Sequence, residues 1–250
     1  MNAGISDRER SEVERSAAEA RSVVLRSSDI DRYLSPSNDT PFPLEYAFYL
    51  LGTVEGKTVL DLGCGTGENM PPLIARGANV IGIDISPDLI ALAERRLMNE
   101  QMKATVRVGS AYDTELPDES VDVIFCMSLV HHLEIPRVRE EMSRILRKGG
   151  FVVFREPIRF SSTYGRLRRL LPAHEEISDY EHPLTREELA LMTEGFEVTG
   201  TRFFRLPFVP LLSRYFSSRS NLSWRASHWM LRTIPAMNVY ASLVAMKLQK

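Results

Sequence analysis

Residues 57–67 read KTVLDLGCGTG. Val59, Leu60 and Leu62 form an apolar run of strand type, and Asp61 interrupts it near its end. Gly63, Gly65 and Gly67 follow at every second position. A strand that runs into alternating glycines and then a helix is a nucleotide-binding turn. Glycine is needed there because the backbone takes positive φ, or because a ligand must approach with no Cβ in the way. A helix is expected over 67–76, starting near Glu68, with its free N–H groups turned toward the ligand. Pro71 and Pro72 are tolerable in it only because they fall in its first turn.

Spacing separates two classes of ligand. A dinucleotide turn reads G-x-G-x-x-G. Starting that pattern at Gly63 puts Glu68 where the third glycine belongs, so an NAD or nucleotide-sugar enzyme is disfavoured. The next strand, 79–84, closes on Asp84. A carboxylate at that place can accept both hydroxyls of a ribose. Ser86 is then the N-cap and Pro87 the first residue of the helix that follows.

From residue 57 onward strands and helices alternate. Further strands are expected over 104–108, 121–127 and 150–155, with a helix over 135–147 that stops at Gly149-Gly150. Thr185 and Glu188 form a capping box for a helix over 185–195, and strands follow over 196–206 and 238–248. Such alternation implies a parallel sheet with helices on both faces and ligands beyond the carboxyl ends of the strands. Asp61, Asp84, Ser110 and His131 all fall there. An amphipathic helix over 43–54 precedes the first strand. Residues 6–26 read as a mostly exposed helix, with Val13, Ala17, Ala20 and Val24 at helical spacing.

Composition excludes several classes. The 250 residues are 44% hydrophobic and 26% charged, an ordinary globular balance. Two cysteines, Cys64 and Cys126, indicate no disulfide framework, and no Cys/His spacing suits zinc. The polar N-terminus lacks the apolar stretch of a signal peptide, and no run is long enough to span a membrane, so the expected compartment is the cytoplasm. The net charge of −2 hides an asymmetry: eight of the 31 basic residues and none of the 33 acidic ones lie beyond Glu197.

The D-x-G-x-G-x-G turn with Asp84 closing the next strand resembles motif I and its neighbour in the class I S-adenosylmethionine-dependent methyltransferases, the small-molecule branch in particular. The resemblance implies a Rossmann-like, doubly wound, seven-stranded sheet, mostly parallel, whose last hairpin is antiparallel. It implies a domain over 43–250, with residues 1–42 as an N-terminal lid or arm and with substrate-cap insertions at 156–185 and 207–236. S-adenosyl-L-methionine is then the methyl donor. Its implied contacts are Asp61, Gly63, Cys64, Gly65, Thr66 and Gly67 around the turn, Asp84 and Ile85 after the second strand, Ser110, Ala111 and Tyr112 after the third, and Met127 at the end of the fourth. Ser110 stands where the family has an acid that reaches the adenine amino group, and Asp113 is a substitute if the loop shifts. The run LPDESVD (116–122) also matches the family.

Methyl transfer is an in-line displacement that needs position and electrostatics more than a triad. His131, His132 and Glu156 are the candidate catalytic groups, and His182 is a further one. An imidazole titrates near neutrality and can deprotonate an acceptor hydroxyl. The alternative for the histidines is that one caps the following helix and the other packs. Cys64 reads as a small packing residue rather than a nucleophile. No metal is implied.

The two cap segments interleave apolar, aromatic and arginine residues, with both tryptophans in the second. A small lipophilic acceptor is the first reading. Contact with an anionic membrane surface through 203–236 is the second, because basic amphipathic stretches with Trp belong there. RNA methylation is a third reading, though nucleic acid fits poorly with a pI near 6.3. A non-catalytic partner protein that binds S-adenosylmethionine is the competing class. The acceptor atom and the oligomeric state are not legible in the sequence.

Overall fold

The computed structural model describes residues 6–161, 182–206 and 220–250. Seven strands form one sheet: β1 (Thr58–Leu62), β2 (Asn79–Asp84), β3 (Thr105–Val108), β4 (Val121–Met127), β5 (Leu146–Pro157), β6 (Glu197–Phe204) and β7 (Leu243–Gln249). Their spatial order is β3-β2-β1-β4-β5-β7-β6. The first five are parallel, and β7 lies antiparallel between β5 and β6. The order reverses direction between β1 and β4, the topological switch point at which such sheets bind ligands. This is the doubly wound sheet that the alternation implied.

Side-chain alternation along the strands divides the core in two. Leu60 and Leu62 belong to one cluster, with Ile83, Val138 of α6 (Ile135–Ile145) and Met192 of α7 (Arg186–Thr193). Val59 belongs to the other, with Phe48 of α3 (Pro43–Leu51), Leu73 of α4 (Met70–Ala75) and Ile90 of α5 (Pro87–Asn99). Helices therefore cover both faces. The Ser86 side chain accepts from Leu89 N at the start of α5, and the Thr185–Glu188 capping box opens α7 as expected.

Several boundaries differ from the sequence reading. Helix α4 begins at Met70, not near Glu68, and spans six residues. Gly67, at φ +74°, closes a turn by donating to Cys64 O at 2.8 Å, so the chain is not yet helical there. The glycine turn therefore does not run straight into a helix N-terminus. Helix α6 ends at Ile145, and β5 already begins at Leu146, which is buried and pairs with Val121. The last strand starts at Leu243 instead of 238, because Pro235–Tyr240 form a 3-10 turn. Ser242 N then donates to the carbonyls of Phe204 and Arg205, which closes the final hairpin.

The N-terminal helix α1 (Asp7–Ala20), which the single-turn α2 (Asp31–Leu34) follows, is shorter than 6–26 and is not mostly exposed. Ser6 and Glu9 form a capping box at its start, and the helix packs against α5. Most of its residues are half-buried, and Ser16 is buried. Of the two expected cap segments, residues 162–181 and 207–219 lie outside the described residues. The rest of the second contains α8 (Ser220–Thr233). Its two tryptophans behave differently. Trp224 lies 6.3 Å from the Phe42 ring and under the Arg205 guanidinium, whereas Trp229 is 65% exposed.

Candidate cofactor and active site

One cavity of about 250 Å³ lies across the carboxyl edge of the sheet. Its floor comes from the loops after β1 (Gly63, Gly65), β2 (Asp84, Ile85), β3 (Gly109, Ala111, Tyr112) and β4 (Met127, Ser128, Leu129). Its roof is the polar stripe of α1, with Glu9, Glu12, Arg15 and Glu19 turned inward.

The turn after β1 is built as the cradle its glycines suggest. Gly63 sits at φ +70°, and a Cβ there would approach the Leu129 side chain to 2.8 Å. Gly65, at φ +51°, has open space where a Cβ would stand, on the cavity side. Gly63 N and Cys64 N both donate to Ile83 O, which fastens the turn to β2. Asp84 completes it: Oδ2 accepts from Gly65 N and Oδ1 from Ser86 N, each at 2.9 Å. A carboxylate offers about four acceptor sites, so each oxygen keeps one for a ligand hydroxyl. Burial raises the Asp84 pKa against the two backbone donors, and the carboxylates of Glu12 and Glu19 on α1 push it further up.

Asp61 is fully buried one residue before the cavity-lining Leu62. Among the described residues neither of its oxygens has a hydrogen-bond partner. Burial, with Asp84 as the second cause, pushes its carboxyl up to about 8. An orphaned buried carboxylate beside an open glycine turn fits a ligand that brings a positive charge to this end.

The expected site residues divide. Gly63, Gly65, Asp84, Ile85, Ala111, Tyr112, Met127 and His132 stand on the cavity wall, and Asp61, Cys64, Thr66, Gly67, Ser110, His131 and Glu156 stand behind it. Cys64 is buried, and burial raises its thiol pKa strongly, as suits a packing residue. Thr66 gives its carbonyl to Arg96. Glu156 is fully buried; it accepts from Leu129 N and Val130 N at 2.8 Å and faces His131 Nδ1 at 2.7 Å. It anchors the 3-10 turn Val130–His132 from beneath. His132 lies against His131, its ring centroid 4.0 Å away, with Glu12 and Arg15 of α1 beside it. Burial, with the neighbouring His131, Arg15 and Arg8, lowers its pKa to about 3, so it is a neutral imidazole across the physiological range. His182 pairs with Glu188 at the capping box of α7, away from the cavity wall.

Sequence reasoning missed two supports. Arg96 is buried on α5 and donates to Thr66 O at 2.9 Å and to Arg26 O at 2.8 Å, so one guanidinium holds both the glycine turn and the chain beyond α1. Ser128 takes φ +58° on the cavity wall, with its N–H on Arg155 O and its hydroxyl bonded to the Arg155 side chain. A non-glycine residue in that region is strained, and here its bonds to Arg155 hold it against the cavity. Neither residue type carries a signal that would have revealed it.

The site is thus a nucleoside-cofactor pocket on a doubly wound sheet. A methyltransferase-domain family model matches residues 60–154. The chain is 33% identical over 179 residues to a demethylmenaquinone methyltransferase of Tropheryma whipplei, covering 64% of this chain and 73% of that protein. It is 29% identical over 187 residues to a ubiquinone biosynthesis O-methyltransferase of Nitrosomonas europaea, covering 70% and 77%. The crystal structure of geranyl diphosphate C-methyltransferase from Streptomyces coelicolor A3(2) shares the fold at a TM-score of 0.65, with 17% identity and 99% of each chain covered. The chain belongs to the class I S-adenosylmethionine-dependent methyltransferases. It is an enzyme, and S-adenosyl-L-methionine is its methyl donor.

Proposed function

We propose that this enzyme methylates a small lipophilic molecule of the quinone-precursor or isoprenoid kind. The observation that carries this is the narrow, roofed cavity, bounded by α1 above and by Leu129 and Leu133 at the end nearest His132. Relatives named for quinone biosynthesis and a fold neighbour named for geranyl diphosphate support the same class. The bound donor supplies an electrophilic methyl group on a sulfonium. The chain's residues do the rest. Asp84 holds the ribose, the Gly63–Gly65 backbone lets the amino-acid end approach, and α1 excludes water. The Glu156–His131 pair fixes the turn that carries His132. A group with a pKa near 3 is a poor proton acceptor at neutral pH. His132 therefore positions the acceptor as a neutral hydrogen-bonding group, and the same low pKa makes its contribution insensitive to pH between about 5 and 8.

Incubation with radiolabelled S-adenosylmethionine and a panel of demethylated quinones, catechols and prenyl compounds tests the reading. Transfer of label to an organic-extractable product is expected. Label appearing only on RNA, or on no acceptor while the donor binds, would overturn it in favour of an RNA enzyme or a binding protein.

The second part of the proposal concerns delivery of such an acceptor. Leu222, Arg225, Trp229 and Arg232 recur on one face of α8, and all are exposed. Arg232 also ion-pairs with Asp39, so the face sets Arg225, the paired Arg232 and an outward Leu and Trp side by side, an arrangement that suits the interface of an anionic bilayer. No helix among the described residues is long and apolar enough to cross a membrane, and the contact proposed is a peripheral one. In flotation at low salt the protein is expected to rise with phosphatidylglycerol vesicles. The double variant Leu222→Ala/Trp229→Ala should stay at the bottom, and wild type staying there would remove this part.

A further inference from the structure

We propose that Glu9 of α1 is the residue that recognises the purine of the cofactor, so that the adenine subsite exists only while α1 is docked. The proposal rests on the assignment of S-adenosylmethionine. The floor loops order the ligand along the edge of the sheet. The glycine turn after β1 admits the amino-acid end, and Asp84 after β2 takes the ribose. The base, attached to the ribose, continues to the next strand outward, β3.

At that end of the cavity the wall is Gly109, Ala111 and Tyr112 below and Glu9 above. Ser110 is not part of it. Its hydroxyl oxygen accepts from Tyr112 N at 3.1 Å, and its proton goes to Glu9 Oε1 at 2.5 Å. Ser110 is therefore a latch that seats the Glu9 carboxylate over the β3 end. The other oxygen, Oε2, accepts from Ser6 N at 2.9 Å and Ser6 Oγ at 2.8 Å, in the capping box. Three of about four acceptor sites are used, and the fourth, on Oε1, has room for one donor. Partial burial pushes the Glu9 pKa up, but the hydrogen bonds from Ser110 and Ser6 outweigh it and hold the pKa below the usual value. The group is therefore an acceptor and not a donor at neutral pH. An adenine presents an amino group, which donates. A 6-oxo purine presents a carbonyl oxygen there, which meets the carboxylate with repulsion. The chemistry thus selects an adenosyl over an inosyl donor through a residue of the roof rather than of the sheet.

The test uses the full chain and calorimetric titration with S-adenosylhomocysteine and S-inosylhomocysteine. Wild type should prefer the adenosyl compound. Glu9→Gln should bind S-adenosylhomocysteine about tenfold to a hundredfold more weakly and should lose most of the preference, because its amide can donate to a 6-oxo group. Ser6→Ala disturbs the cap of α1 but keeps the acid, and it should weaken both ligands equally with the preference intact. Hydrogen exchange adds a second readout: S-adenosylhomocysteine should slow exchange over residues 7–20 in wild type and much less in Glu9→Ala. If Glu9→Gln keeps wild-type affinity, or loses affinity for both compounds equally, Glu9 does not read the base. Wild type that binds neither compound would overturn the cofactor assignment and this proposal together.

Discussion

Replacing Asp84 by alanine is expected to weaken S-adenosylhomocysteine binding by a factor of about 100 to 10,000. The free acceptor site on each oxygen matches one hydroxyl of a ribose diol, and a hydrogen bond to a charged group contributes about 1.5–3 kcal/mol. The same oxygens hold Gly65 N and Ser86 N, so the variant also loosens the turn that admits the amino-acid end. The folded protein itself should survive. Asp84 is partly desolvated, its pKa is raised, and Glu12 and Glu19 of α1 lie close enough to repel it. Removing it relieves a cost in the ligand-free state. Calorimetric titration gives the affinity, and a thermal melt with and without S-adenosylhomocysteine gives the control. Wild type should show a ligand-induced rise in melting temperature that the variant lacks. Equal affinity in both proteins would remove Asp84 from the ribose.

The glycine turn that Asp84 fastens is legible in the amino-acid sequence alone, and the reason is physical. A nucleotide turn needs positive φ at fixed places, so glycines must stand there, and glycines are visible. Ser86-Pro87 and Thr185 with Glu188 are equally plain, because a cap is a local arrangement of residues about three apart. The boundaries that differ are those decided by distant partners. Leu146 reads as the end of a helix until it is seen to pair with Val121. Leu243 becomes the start of β7 only because Ser242 meets β6 there.

The roof is the least legible part. In α1 the apolar spacing of Val13, Ala17 and Ala20 is the visible pattern, yet the polar stripe through Glu9, Glu12, Arg15 and Glu19 faces the cavity. A polar helix face reads as solvated unless its partner is known. Arg96 is hidden for the same reason: an arginine on an amphipathic helix reads as exposed, but this one is buried under the glycine turn. For the acceptor pocket the difficulty is different. Polar and apolar side chains can both line such a pocket, so no residue type is compelled at any position.

The last expectation concerns Asp61, whose carboxyl is held near 8 in the folded protein against 3.8 for an unburied aspartate. Between those values the native state keeps a proton that the unfolded chain gives up. Stability of the ligand-free protein therefore falls as pH rises through this window, by up to about 1.4 kcal/mol per pH unit and about 6 kcal/mol in all, as an order of magnitude. Asp61→Asn, close in shape and uncharged, should remove that slope. Its denaturant midpoint should match wild type only below about pH 4 and exceed it by a growing margin up to about pH 8. The ligand inverts the sign. An ammonium group arriving beside Asp61 favours the ionised form, so wild type should release a proton on binding S-adenosylmethionine near pH 7. The heat of binding would then vary with the ionisation enthalpy of the buffer, and that variation should vanish in Asp61→Asn together with much of the affinity. Parallel stability profiles in the two proteins, or a buffer-independent heat in wild type, would mean that Asp61 does not hold its proton as argued. If both effects appear, the carboxyl left without a partner in the core is what makes the site selective for a cationic amino-acid end: it stays protonated when the site is empty, and a ligand with a positive charge stabilises its ionised form.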